Sequence, residues 1–377
     1  MPYETDEIDR NGEDIFLDHN SNHLDSNPIG SDSILESKSV DCSNRRNSDS
    51  NDKANKTEQS KIVSRDYLLE RRKHDQWNCL DHIIWFNVFW FSSMHLISLY
   101  AIYLVLLEAR LLTILFAILV YAVSIFGITA GVHRLWSHRA YKAKLPFRII
   151  LAIFNSMAYQ NSIYVWARDH RVHHKYSETD ADPVNIERGF FFSHIGWLLC
   201  KKHPDVARFG LRLDLSDLKS DPVVYYQHKF YHLSVLIFFL IIPTIIPWYF
   251  WNESLLISLV VCVVLRYTLA LNSTWLVNSV AHKYGNRPYD INIAPTENKF
   301  VAFLTLGEGY HNYHHTFPWD YSTSEWQWNL NPTTIVLDLL SKTGLVYDLR
   351  SASKEIIKLR KSRTGNLKQY QAQELGY

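Results

Sequence analysis

Apolar positions along this chain come in long blocks rather than in the rhythm of amphipathic helices or strands. Four blocks are long enough to cross about 30 Å of hydrocarbon, a task for about 20 helical residues each. They cover approximately 83–107, 111–131, 230–251 and 255–276. The links within each pair are minimal, Glu108-Ala-Arg110 and Asn252-Glu-Ser254, so the pattern predicts two transmembrane hairpins. Pro243 and Pro247 should kink the third block without changing the count. Two shorter apolar runs, Leu145 to Phe154 and Gly189 to Leu199, predict helices lying at the membrane interface or in a cap on the bundle.

Basic residues gather on one side of the hairpins. Arg71, Arg72 and Lys73 precede the first block, Arg134, Arg139, Lys142, Lys144 and Arg148 follow the second, and Lys283 and Arg287 follow the fourth. The positive-inside tendency then places both termini and the long middle segment in the cytosol. The expected fold is an all-α membrane protein, with four transmembrane helices in two hairpins and a cytosolic helical cap.

Composition separates the ends from this body. Residues 1–62 are rich in Asp, Asn, Ser, Glu and Lys, with Tyr3 and Phe16 as their only aromatics, and are expected to be a disordered polar tail. A membrane domain is expected over 63–350, its cap being 132–229 and 277–350, followed by a basic, flexible tail at 351–377. The N-terminus lacks the basic start and apolar core of a signal peptide, so insertion is expected to rely on the first span. A net charge of +1 argues against a nucleic-acid partner. Cys42, Cys79, Cys200 and Cys262 form no C-x-x-C pair, and neither a disulfide framework nor a zinc knuckle is expected.

Candidate chemistry lies in the histidines. Of 18, nine fall into four groups: His133 with His138, His170 with His173 and His174, His282 behind Asn278, and His311 with His314 and His315. All four groups belong to the cytosolic side of the expected topology. In H-x-x-H-H the i, i+3 and i+4 side chains share a helical face, so two or three imidazoles can converge. His133 and His138 are five apart, about 500° around an ideal helix. They diverge unless they serve different ions or the helix ends between them. His95, His194 and His232 stand singly and are read as packed or interfacial residues. Nine neutral ligands exceed what one ion accepts, and a structural zinc site closes at four. Two adjacent metals are the economical reading, and imidazole alone does not choose among Fe, Zn, Cu and Ni.

At these residues the sequence resembles the membrane fatty acyl-CoA desaturases, the group that contains stearoyl-CoA desaturase. The matching pieces are His133-Arg-Leu-Trp-Ser-His138, Asp169-His-Arg-Val-His-His174, Asn278-Ser-Val-Ala-His282 and Gly307-Glu-Gly-Tyr-His-Asn-Tyr-His-His315. The likeness extends through Lys175-Tyr-Ser-Glu-Thr179, Leu213-Asp-Leu-Ser-Asp217, Arg287-Pro-Tyr-Asp290 and Phe317-Pro-Trp-Asp-Tyr321. The resemblance implies that the nine histidines hold two iron ions, with Asn278 reaching one through water. It also implies that Asn87, Asn161, Arg168, Asp169, Lys201 and Lys202 hold the polar part of coenzyme A. Trp166, Trp197, Thr274 and Trp275 would line a kinked acyl tunnel. Tyr121 and Ser124, two to three turns before His133, are the candidates for closing it.

Removing two hydrogens from mid-chain methylenes offers no acidic proton and no leaving group, so a metal–oxygen oxidant is required. Glu308 and Asp180 are available to orient imidazoles. The chain carries no Gly-rich dinucleotide fingerprint and no His-Pro-Gly-Gly haem signature, so electrons are expected from a separate cytochrome b5 and its NAD(P)H-dependent reductase. The expected function is O2-dependent, delta-9-type desaturation of a saturated fatty acyl-CoA in the endoplasmic reticulum membrane, within unsaturated fatty acid biosynthesis. A histidine-box acyl hydroxylase and a non-enzymatic membrane metal carrier are the alternatives. A carrier would want polar ligands at mid-membrane depth, whereas these groups follow the helix ends.

Overall fold

The computed structural model describes residues 77–366. Four helices are long and apolar enough to cross a membrane: α1 (Trp85–Leu107), α2 (Leu111–Ser137), then, after the cap helices α3 (Leu145–Ala158) and α4 (Ile163–Tyr176), α5 (Tyr231–Trp251) and α6 (Leu255–His282). The chain is a multi-pass membrane protein. α2 and α6 run past their apolar blocks to end among the histidines, so the metal-side residues are carried on the continuations of two spans. The remaining cap elements that matter below are α7 (Lys299–Leu304), α8 (His311–Thr316), α9 (Pro332–Lys342) and α10 (Lys354–Thr364). A two-residue strand, β1 (Lys142–Ala143), pairs antiparallel with β2 (Val346–Tyr347) and joins the two parts of the cap.

At the ends of the spans remote from the histidines, the hairpins are clipped together by one carboxylate. Glu253 Oε2 accepts from the Arg110 amide at 2.9 Å and from the Thr113 hydroxyl at 2.6 Å, and Trp251 Nε1 donates to the same hydroxyl at 2.8 Å. The buried anion thereby satisfies an N–H at the start of α2, where helix amides lack internal partners and the dipole favours negative charge.

α3 lies across α2. Its Phe147, Leu151, Ala152 and Asn155 are buried, while Leu145, Ile149 and Ile150 face outward. The backbones meet at Gly127, where any Cβ would strike the backbone at Phe154 and Asn155. Gly is the residue that permits so close an approach.

Two expectations change. Cys79 and Cys200 are joined in a disulfide with Cα atoms 5.6 Å apart, whereas no disulfide was expected. Their separation of 121 residues gives no spacing signal; the pairing arises because the segment before α1 runs beside the end of Trp197–Leu199. There Ile84 N donates to Leu199 O at 2.8 Å and Lys201 N to His82 O at 2.9 Å. Cys262 is free and buried, and Cys42 lies outside the described residues. The second change is at the C-terminal side. Where a flexible tail is expected from 351, α10 packs on the cap through buried Ile357 and through Lys361, which pairs with Glu325 at 2.7 Å. The expected tail at 1–62 lies outside the described residues.

Candidate metal centre

The nine histidines assemble into two groups. His133, His138, His170, His174 and His314 form one, and His173, His282, His311 and His315 the other; within each, the ligand atoms lie within 4.8 Å of one another. In the first, Nε2 atoms of His133 and His314 are 3.0 Å apart, those of His314 and His174 3.0 Å, and those of His138 and His170 2.8 Å. In the second, His311 and His282 are separated by 3.0 Å, His315 and His311 by 3.1 Å, and His173 and His315 by 3.3 Å. Two imidazole nitrogens each about 2.1 Å from one cation, at right angles to it, would be about 3.0 Å apart. The spacing therefore fits a cation in each group.

Local backbone explains the membership. His133 and His138, expected to diverge, share the first group with ring centroids 4.8 Å apart. The last eleven residues of α2, Gly127–Ser137, are wound as a π-helix, and the His138 amide donates to the His133 carbonyl at 3.1 Å. An i to i+5 hydrogen bond sets residues five apart one above the other, which an α-helix does not. The two H-x-x-H-H boxes are each split. On α4, His170 and His174 enter the first group while His173 enters the second; on α8, His311 and His315 enter the second while His314 enters the first.

The residues between the histidines fasten these helices. Arg134, fully buried, donates to Glu308, the Tyr321 carbonyl, Thr334 and Asn331. Arg171 forks onto Asp217 at 2.8 and 2.6 Å and caps the end of α2 by donating to the carbonyls of Trp136 and Ser137. Asn312 holds α8: its oxygen accepts from the amides of Tyr289 and Asp290 and its nitrogen donates to the carbonyls of Asp290 and Pro295. Gly307, at φ 126°, turns the chain into α8 where a side chain would collide with Asn331.

Carboxylates stand behind the rings. Glu308 Oε2 lies 3.0 Å from His133 Nδ1, and its other oxygen takes Arg134 at 2.8 Å. Burial alone would raise the Glu308 pKa, yet Arg134 and His133 hold it below the ordinary carboxylate range. In the second group the partner is Asp182, 2.9 Å from His173 Nδ1. Asp180, expected in that role, pairs instead with Arg188 at 2.7 Å. A carboxylate on Nδ1 fixes that proton and leaves Nε2 as the lone-pair donor. His138, His170, His174, His311, His314 and His315 are all held well below the usual imidazole pKa, first by burial and then by neighbouring charge. They stay neutral, as metal ligands must. Asn278 stands on α6 one turn before His282.

The expected substrate residues fall in two places. Asp169 accepts from Arg168 at 3.1 Å and Lys202 at 2.7 Å, which outweigh its burial and keep its carboxyl below the ordinary range. Lys201 follows the disulfide and is exposed. Asn161, with φ 79°, lies in the turn between α3 and α4. Asn87 is buried and its amide donates to the Leu198 carbonyl at 2.7 Å, so it ties α1 to the segment carrying Trp197. Nearer the histidines, Trp166 stacks on His170 with centroids 4.8 Å apart. Trp275 is buried, and Thr274 accepts from Gln160 Nε2 at 3.1 Å. The Tyr121 hydroxyl lies 2.7 Å from Ser273 Oγ and donates to the Leu304 carbonyl of α7 at 2.8 Å, while Ser124 is fully buried. Sequence reasoning missed Gln160, Asp182 and Asn272; each is a common polar residue outside the histidine boxes, and only its partner reveals it.

Residues 109–328 match the fatty acid desaturase family model. This chain belongs to that family. It is 60% identical over 240 residues to stearoyl-CoA desaturase 5 of Bos taurus, covering 64% of this chain and 72% of that one. Acyl-CoA desaturase 1 of Tachysurus fulvidraco gives the same identity over the same length and shares. Acyl-CoA Delta12-desaturase of Acheta domesticus is also 60% identical over 240 residues, 63% of this chain and 67% of that one. As a member of the family the protein is an oxidoreductase.

Proposed function

We propose that the protein introduces a double bond into a saturated fatty acyl-CoA, using O2, two irons held by the nine histidines, and electrons from cytochrome b5 and its NAD(P)H-dependent reductase. The observation that carries this reading is the pairing of two imidazole groups, five and four strong, through helices α4 and α8, which feed both. Bound there, iron supplies with O2 the oxidising power that an unactivated methylene pair demands. The protein's own tasks are placement and exclusion. Helix ends fastened by Arg134, Arg171 and Asn312 hold the Nε2 atoms in place; Asp182 holds the His173 Nδ1 proton, and Glu308 stands 3.0 Å from His133 Nδ1.

Arg168, Asp169 and Lys202, with exposed Lys201 and with Asn161, are the candidate holders of the polar end of acyl-CoA. Asn87 contributes by anchoring the segment of Trp197. Trp166, Trp197, Thr274 and Trp275 wall the acyl chain, and Gln160 sets Thr274. Asn278 reaches the second group through water. The reading places the protein in the endoplasmic reticulum membrane, with both termini and the cap cytosolic, a desaturase domain that begins at 63 and takes in α10, and a tail at 1–62. The resemblance to the membrane fatty acyl-CoA desaturases implies a delta-9-type bond, and a Delta12-desaturase stands among the relatives at 60% identity.

Expression in a desaturase-deficient yeast with identification of products by mass spectrometry tests the proposal. Unsaturated acyl chains from the parent, and none from His314→Ala, are expected. A hydroxylated chain without a double bond, or an active His314→Ala protein, would overturn it.

A further inference from the structure

Two histidines that the sequence leaves as single packed residues, His95 and His194, prove to be linked. His95 Nδ1 lies 2.7 Å from the Phe91 carbonyl, and its Nε2 is 3.1 Å from Asn272 Nδ2. Asn272 Oδ1 is 3.3 Å from His194 Nε2, and His194 Nδ1 is 2.9 Å from Ser279 Oγ. The partners decide the roles from His95 as far as His194 Nε2. His95 must donate from Nδ1 to a carbonyl, so its Nε2 accepts from the Asn272 amide. The Asn272 oxygen then accepts from His194 Nε2, while the Ser279 hydroxyl, 2.9 Å from His194 Nδ1, donates to the Trp275 carbonyl at 2.9 Å. The second Asn272 N–H goes to the Thr268 carbonyl at 2.8 Å. The carboxamide therefore cannot turn over without breaking contacts on both sides.

The relay encloses one ring. Trp275 is 2% exposed and is packed by Phe91 at 5.4 Å edge-on, His194 at 5.7 Å edge-on and His95 at 6.3 Å in stacked orientation. Asn272, Trp275, Ser279 and His282 are spaced i, i+3, i+7 and i+10, so they form one stripe along α6. That stripe ends at a histidine of the second metal group. Packing comes from α1 on one side and from Phe192–Gly196 on the other, so three separate elements set the angle of one indole.

We infer that His95, Asn272 and His194 are positioning residues: they lock the Trp275 ring relative to His282 and thereby decide which methylene pair of the acyl chain faces the histidines. This rests on the desaturase reading above. Trp275 is the wall, and the relay sets its angle. A side chain with one fewer hydrogen bond leaves a buried partner unsatisfied and frees the ring to tilt.

The test uses the full-length protein in the desaturase-deficient yeast, with double-bond positions assigned by mass spectrometry and iron per chain measured on purified protein. Asn272→Leu and His194→Phe should keep iron within about twofold of the parent while the fraction of double bonds at neighbouring carbons rises about tenfold. His194→Gln, whose amide can replace the Nε2–H donor, should restore most of the parent distribution. Iron-loaded Asn272→Leu or His194→Phe protein giving the parent distribution would overturn the inference, as would a His194→Gln protein no better than His194→Phe. If those variants fail to accumulate, Ser279→Ala removes only the last contact, the hydroxyl between His194 Nδ1 and the Trp275 carbonyl. It should show the same shift more weakly, and an unchanged distribution with intact iron refutes the idea. A parent that yields no double bond at all would instead sink the desaturase reading.

Discussion

Five imidazoles meet in one group and four in the other, although α4 and α8 feed both. The difference lies in α2 and α6. α2 delivers two rings to the first group because its end is wound as a π-helix, whereas α6 delivers only His282 to the second. Support differs too: Glu308 behind His133 is shared with Arg134, while Asp182 serves His173 and also accepts from the amides of Glu178 and Val184. The first group is thus richer in candidate ligands by one imidazole.

The largest expected contrast comes from removing one ring from each group. His282→Ala leaves three histidines and His314→Ala leaves four. Iron analysis of purified protein should find about one ion per chain in His282→Ala and partial retention in the first group of His314→Ala, with product from either below about one hundredth of the parent. Equal iron loss from both would show that the groups bind as one unit and would break the comparison.

A smaller effect is expected behind the rings. Glu308→Gln and Asp182→Asn should each weaken iron binding by about 10–100-fold, measured by chelator competition. Glu308→Gln should also lower thermal stability, because it leaves buried Arg134 without its carboxylate partner.

Acid distinguishes the groups less sharply. The imidazoles of His138, His170, His174, His311, His314 and His315 have pKa values pressed well below the ordinary one by burial and neighbouring charge. The unfolded chain takes up protons near about pH 6.5, where these folded-state rings do not. Unfolding then binds more protons, so stability is present above about pH 6.5 and is lost as pH falls below it. Thermal melts of metal-stripped protein in detergent from pH 8 to 5.5 should move steadily to lower temperature, and a flat series would contradict the burial of these rings.

The smallest effect concerns the cap side, where the segment before α1 meets the end of Trp197–Leu199. If this face is cytosolic, glutathione keeps Cys79 and Cys200 reduced in the cell. Alkylation before lysis should label both, while mild oxidation of isolated membranes should yield the cross-linked peptide, since the Cα distance of 5.6 Å suits a disulfide. A bond already present before lysis would overturn the cytosolic placement.

Much of the architecture is legible in the residues. Uninterrupted apolar blocks separated by three-residue links leave little choice beyond hairpins, because a backbone in lipid must satisfy its own hydrogen bonds. The histidine boxes stand out for the same kind of local reason: their spacing is a property of one helix. The His133 and His138 pair shows the limit. Its five-residue spacing reads as divergence on an α-helix, and the π winding that reverses this begins at Gly127, where α2 packs closely against α3.

By itself, the sequence determined the four spans, the end of the spans at which the nine histidines gather and a count of candidate ligands beyond what one ion accepts. Local periodicity, hydrophobicity and ligand counting suffice for these. Tertiary structure alone decided which imidazole joins which group, that Asp182 rather than Asp180 stands behind His173, that Cys79 meets Cys200, and that His95 and His194 meet through Asn272. Each of these is a contact between residues whose separation along the chain carries no periodic signal, so only the packing of whole helices brings the partners within reach.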